Sequence, residues 1–176
     1  EELDKFTAKV EDLWTWPTQA LINLHNMGFE IVEMDDFSID EFIKDGGDYM
    51  IRRYGKEVGE AQIIHSDIDQ ERNIFANYIQ LNLHQEILPT IDDIRKLIDQ
   101  DYLVLCNVNS KTLNNESGYT GHFVVIFDYT STHLILHDPG LPPSENRQVI
   151  FADFHRAWEY PDSRSKNLLA FRYYKV

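Results

Sequence analysis

Apolar positions recur at helical spacing through the first hundred residues and then gather into short unbroken runs, so the chain changes character near Asp101. Glu1 to Phe6 reads as the stub of a helix. Thr15-Trp16-Pro17-Thr18 supplies a capping residue and an early proline, Ala20, Leu21, Leu24 and Met27 follow at helical spacing, and Gly28 ends the helix. Phe29 to Met34 alternates as a short strand. Ser38 with Asp40 and Glu41 opens a helix to about Tyr54, its core face made of Ile39, Phe42, Ile43 and Met50. From Glu57 to about Gln80 the pattern predicts one long or broken helix, with Ser66-Asp67 as the break. Pro89-Thr90-Ile91-Asp92-Asp93 is a helix start with Thr90 as cap, running to about Gln100.

Beyond Asp101, strands are predicted at Tyr102 to Val108, Gly121 to Tyr129, His133 to Asp138 and Leu168 to Tyr174, with a short helix from Phe151 to Trp158. Helices first and hairpin-spaced strands later predict an α+β domain with a mainly antiparallel sheet. The 176 residues fit one domain with one core.

Composition narrows the function. Hydrophobic residues make up 43% and aromatics 12%, enough to bury a core and to set disorder aside. No apolar run approaches the roughly 18 residues needed to cross a bilayer. Sixteen basic against thirty acidic residues give a formal net charge of −14, which argues against nucleic acid as a partner. The acids are spread over helix faces and first turns, as on a solvated surface. One cysteine, Cys106, leaves no intramolecular disulfide to expect, and in its apolar run it reads as a small buried hydrophobe. The compartment stays open, with a slight lean to the cytoplasm.

The candidate chemistry lies in Gly121-His122-Phe123-Val124-Val125-Ile126-Phe127-Asp128-Tyr129 and His133-Leu134-Ile135-Leu136-His137-Asp138-Pro139-Gly140, read as a hairpin. With a three-residue loop at Tyr129 to Ser131, His122 falls opposite Asp138. His122, Val124, Ile126, Leu134, Leu136 and Asp138 then share one face. Both faces are apolar, which places the hairpin inside a sheet. A carboxylate beside an imidazole holds one tautomer and stabilises its protonated form, as a general base needs. The other reading has His122 closing a strand end and Asp138 serving the Asp-Pro-Gly turn, and spacing alone favours it.

Gly121-His122-Phe123-Val124-Val125, a short turn and a strand ending in Asp138-Pro139 resemble segments of the papain-like cysteine peptidases, closest to the bacteriocin-leader (double-glycine) peptidases and their C-thirty-nine-like relatives. An aromatic-Pro-Thr helix ending in Met27-Gly28-Phe29, the Pro89-Thr90 helix and the strand Leu103-Val104-Leu105-Cys106-Asn107 extend the resemblance over most of residues 15–172. It implies a papain-like domain with a helical first half packed on an antiparallel sheet. It also implies His122 as general base, Asp138 as its orienting acid and a peptide or protein substrate.

The family's nucleophile is a cysteine at the start of an N-terminal helix, usually followed by Gly-Pro, with a glutamine for the oxyanion hole just upstream; neither occurs in this sequence. The chain alone is therefore expected to be inactive. The first residue is Glu1 and all three methionines lie inside predicted elements, so the expectation is an N-terminally incomplete domain rather than an evolved pseudoenzyme. The alternative is a catalytically inactive domain that binds a peptide or protein in the same cleft. An acyltransferase or deamidase would use the same logic.

Cys106 lies mid-strand, without a helix terminus or a neighbouring cation to lower its pKa, and is expected to be an inert thiol. His133 and His137 stand about 13 Å apart along a strand, too far to share a metal ion. They read as surface or loop-end residues. His25, His65, His84 and His155 show no ligand spacing with a cysteine or paired acid, so no metal and no cofactor are predicted. Ser110 to Thr120 is a polar loop just before His122. Asn114, Asn115 and Tyr119 there are either a substrate-contacting rim or part of an ordinary solvated connection, with nothing in the sequence to choose between them. Leu141 to Arg147 reads as a second loop, stiffened by its prolines. Trp14 and Trp16 are expected to leave an apolar docking surface near the N-terminus, open to association.

Overall fold

Tyr78 and Phe42, each with no exposed surface, mark one buried centre of the chain, and Trp158 with the valines and leucines of the later strands marks another. A computed structural model describes residues 2–140 and 142–173. Glu1–Phe29 with Phe37–Leu83 forms one compact unit, and Glu30–Asp36 with His84–Val176 forms a second.

The first unit is helical: α1 (Glu2–Phe6), α2 (Thr18–Asn26), α3 (Ile39–Asp45), α4 (Gly47–Tyr54), α5 (Lys56–His65) and α6 (Ile68–Tyr78). The segment expected as one helix from Ser38 to Tyr54 is two, because Gly46 sits at φ +53° and ψ −119°, a conformation that breaks the hydrogen-bond ladder and that side chains disfavour. The break at Ser66-Asp67 is present. The Asp67 side chain accepts from the Gln70 N–H at 3.0 Å and caps α6. In α2 the capping position is filled by Pro17, without a side-chain cap.

Aromatic rings fill this unit. Trp16 stacks on Phe42 with centroids 5.4 Å apart, Phe37 on Phe75 at 5.5 Å, and Trp16 Nε1 donates to Ser66 Oγ at 2.9 Å. The expectation of a docking surface at both tryptophans is corrected here. Trp16 belongs to the aromatic core because its ring finds three phenylalanines and its N–H a buried acceptor, whereas Trp14 is half-exposed against His65.

The second unit contains β1 (Phe29–Asp35, entered from the first unit at its first residue), β2 (His84–Glu86), α7 (Ile91–Ile98), β3 (Leu103–Asn109), α8 (Ser110–Leu113), β4 (Gly121–Tyr129), β5 (His133–Asp138), β6 (Ser144–Ile150), α9 (Phe151–Trp158) and β7 (Leu168–Tyr173). Tyr174, expected in the last strand, lies outside the described residues. The order across the sheet is β2-β1-β7-β3-β4-β5-β6; β1 and β2 are parallel, and β7, β3, β4, β5 and β6 pair antiparallel in turn. The chain is thus α+β with a seven-stranded, mostly antiparallel sheet.

One face of that sheet forms the core. Val104, Cys106, Val108, Val124, Ile126, Leu134 and Leu136 pack against Ile94 and Leu97 of α7 and Phe154, Ala157 and Trp158 of α9. Each such aliphatic contributes about 1.5–3 kcal/mol on burial. Helix α7 starts as expected: Thr90 Oγ1 accepts from the Asp93 N–H at 3.2 Å, and the Asp93 carboxylate accepts from the Thr90 N–H at 3.0 Å.

Two strands depart from expectation. β6 occupies part of the segment read as a stiffened loop, and β2 was not foreseen. Ser144-Glu145-Asn146-Arg147-Gln148 has no apolar alternation, and pairing with β5 imposes the strand instead.

The hairpin register also differs from the expected one. The turn closes with Thr130 N–H donating to His133 O at 2.8 Å, which leaves a two-residue loop, and an irregularity between Ile126 and Asp128 adds a further shift. Val125 pairs with His137, so His122 and Asp138 are diagonal rather than directly opposite. The side-chain parity of this end is unchanged, and β4 and β5 are both interior strands.

Candidate active site

His122 is the second residue of β4 and Asp138 the last of β5, both turned toward the core face where the sheet ends. Their diagonal placement suits two side chains of this length. His122 Nε2 lies 2.7 Å from Asp138 Oδ1. Two further donors complete the carboxylate: the Gly140 N–H to Oδ1 at 3.0 Å and Arg147 Nη1 to Oδ2 at 2.9 Å.

Gly140 is required by contact. A Cβ there would stand 2.9 Å from Asp138 Oδ1 and 3.5 Å from His122 Nε2. The Asp-Pro-Gly turn and the pairing of His122 with Asp138, alternatives at the sequence level, are therefore one structure: the turn delivers both a backbone donor and the space for the ring.

Asp138 is buried, and burial raises its carboxyl pKa. The Gly140 N–H, His122 and Arg147 together more than offset that, so the group stands below the ordinary carboxylate value. An ionised carboxylate can only accept, which makes Nε2 the protonated nitrogen of a neutral His122. The described residues offer Nδ1 no hydrogen-bond partner, and its lone pair is the basic atom of the pair.

Arg147 and Asn109 also shape the site, and neither was singled out from the sequence. Arg147 Nη2 donates to Leu113 O at 2.9 Å. Asn109, fully buried at the end of β3, holds the loop 110–120. Its Nδ2 donates to Thr112 Oγ1 at 2.7 Å and Gly118 O at 2.9 Å, and its Oδ1 accepts from the Lys111 N–H at 3.2 Å and the Thr120 N–H at 3.0 Å. An Asn at the join between an apolar run and a polar loop was the available signal for it.

Of the rim candidates, Asn114 and Asn115 are exposed just after α8 and hydrogen-bond neither His122 nor Asp138; Asn115 takes a left-handed φ of +59°. Tyr119 is exposed and stacks on Tyr160 with centroids 5.8 Å apart. Its hydroxyl would stand 3.0 Å from a Cβ on Gly121, and alternation along β4 points Gly121 away from the His122 face.

Cys106 is fully buried two residues along β3 from Val108, the partner of His122, and burial pushes its thiol well above the ordinary value. His137 is exposed and stacks on Phe127 at 4.4 Å, while His133 contacts Thr132 Oγ1 at 2.8 Å.

His84 meets an acid across two strands, with Nε2 2.9 Å from Asp35 Oδ1, and His155 Nδ1 lies 3.3 Å from Glu159 Oε1 one helical turn on. The parallel register sets Glu33 beside His84 and Asp35 beside Glu86, a proximity that sequence separation conceals. Burial depresses the His84 pKa, but Asp35 and the two glutamates raise it by more. Among the described residues no group of three or more metal-ligating side chains converges, and no helix is long and apolar enough to cross a membrane.

Compared with known proteins, the chain matches no protein-family model and no curated protein.

Proposed function

We propose that this chain is the base-bearing body of a papain-like, C-thirty-nine-like cysteine peptidase or related amide or acyl-transfer domain, with the nucleophilic cysteine supplied from outside these 176 residues. The observation that carries the reading is the 2.7 Å contact between His122 Nε2 and an ionised, three-times hydrogen-bonded Asp138. The α+β order and the resemblance in the His122 and Asp138 strands support it.

A thiol placed against Nδ1 would pass its proton to His122, and Asp138 would stabilise the imidazolium so formed. The thiolate would attack the carbonyl carbon of a peptide or thioester. His122 would then return the proton to the leaving amine or thiol. Cys106 cannot take the nucleophile's part, being buried with a raised pKa.

That same burial favours a second reading, a domain that binds a peptide or protein without cleaving it. Mass spectrometry of the natural polypeptide after a brief exposure to a cysteine-directed electrophile separates the two. Rapid labelling of a cysteine other than Cys106, slowed at least tenfold by His122→Ala, is the result expected of the enzyme. Labelling at the rate of a free thiol whatever stands at 122 would sink that reading and leave the binding domain.

A further inference from the structure

Asp138 Oδ1 is already occupied by His122 and the Gly140 N–H, so the orientation of the carboxylate is set by what holds Oδ2. That group is Arg147, and its other terminal nitrogen grips a different element. We propose that Arg147 is the positioning residue of the pair: one guanidinium ties the Asp138 carboxylate to the loop 110–120 and offsets the acid's charge as His122 experiences it. The bearing of this tether on catalysis rests on the proposed function; the tether itself does not.

The geometry supports both halves of the assignment. Nη1 reaches Asp138 Oδ2 at 2.9 Å and Nη2 reaches Leu113 O at 2.9 Å, and the planar guanidinium keeps the two directions fixed relative to each other. A shift of Leu113 is therefore passed to the carboxylate rather than absorbed by a flexible ammonium. Leu113 ends α8, a four-residue helix too short to persist by its own ladder, which is held from below by Asn109 and from the side by Arg147. The side chains of Arg147 and Asp138 are 23% and 10% exposed, so solvent screens the contact far less than it would a surface pair.

The electrostatic consequence follows from the same contact. Among the described residues the charged group hydrogen-bonded to His122 is Asp138, and Arg147 acts on the ring through that acid. With Arg147 in place the imidazole lies beside an ion pair of near-zero net charge; without it, beside a bare anion that holds a proton on the ring more tightly.

Arg147 lies in β6, which the sequence presents as a polar stretch. Pairing of Leu136 with Arg147 and of Asp138 with Ser144, with a shift between them, brings the side chain diagonally onto Asp138.

The test follows the His122 ring by NMR as pH is varied, and backbone amide exchange through residues 110–120, in the wild type, Arg147→Met and Arg147→Lys. Arg147→Met is expected to raise the His122 pKa by about one unit, a tenfold change in proton affinity, and to speed loop exchange about tenfold. Arg147→Lys restores the charge but cannot span both acceptors. Its ring should titrate within a few tenths of a unit of wild type while its loop exchanges as fast as in the Met variant. A purely structural role for Arg147 would loosen the loop and leave the titration unmoved in both variants, and that result overturns the proposal, as does a loop as protected in Arg147→Lys as in wild type. If Arg147→Met does not fold, the loop exchange of Arg147→Lys decides. If instead no cysteine of the natural polypeptide depends on His122, the proposed function falls while these readouts stand.

Discussion

Replacing Asp138 by Asn keeps an acceptor for Nε2 but removes the charge that stabilises a protonated ring. The His122 pKa is expected to fall by about one unit or more, read by NMR titration. The same change leaves Arg147 facing an amide and should cost about 2 kcal/mol in urea denaturation at neutral pH. Because the folded-state pKa of Asp138 is depressed, its contribution is fully present above the ordinary carboxylate value. It is lost as pH falls through the lower folded value, so the acid limb of the wild-type stability curve should flatten in Asp138→Asn. Gly140→Ala tests the close approach of the turn. Its φ is not in the left-handed region, so the penalty comes from the 2.9 Å contact with Asp138 Oδ1 alone. A loss of about 1–3 kcal/mol with a displaced His122 ring signal is expected. Glu71 shows the opposite linkage. Buried in α6 and near Asp67, it has its pKa raised from 4.5 to about 7, chiefly by burial. Its stabilising effect is fully present below pH 4.5 and is lost as pH rises through about 7. Glu71→Gln should therefore be close to wild type at pH near 4 and more stable by about 1–2 kcal/mol at pH near 8, after allowance for solvent screening.

Among the elements, the loop after β3 depends on one residue more than on its own sequence. Asn109→Ala would strip partners from the Lys111 and Thr120 N–H groups and from Gly118 O in a single step. About 2 kcal/mol of stability should go, with amide exchange between Ser110 and Thr120 rising tenfold or more while the β3 and β4 amides stay protected. Elements with strong local signals were legible in the sequence. The Thr90-to-Asp93 capping box, the Asp67 cap, the bounds of β4 and β5, and the helix Phe151–Trp158 depend on neighbours in sequence. β2 and β6 were not legible because their stability comes from pairing partners, β1 and β5, which are distant or cross a turn. The two-residue loop at Ser131-Thr132 and the irregularity at Phe127 likewise depend on how β4 and β5 twist against β3 and β6. The observed register therefore differs by two places near the site from the one a three-residue loop predicts, while the parity is the same.

For the whole molecule, a formal net charge of −14 on 176 residues opposes compaction by self-repulsion. Raising NaCl from about 0.02 M to 0.5 M at neutral pH should shift the urea midpoint upward, through screening lengths that shrink to a few ångströms. An unchanged midpoint would mean that the local ion pairs already balance the excess. The α+β order, the antiparallel character of the later strands, the placing of His122 and Asp138 on one face, and the burial of Cys106 could all be read from the chain. Each of these follows from periodicity, parity or burial of an apolar run, all short-range properties of a chain. The division into two units, the place of Trp16 in an aromatic cluster, the meeting of His84 with Asp35 and the closing of the Asp138 carboxylate by Arg147 emerge only when the chain is folded. Those are contacts between segments that no local pattern links. Their free energy comes from burial and from satisfying polar groups once the strands have been brought side by side.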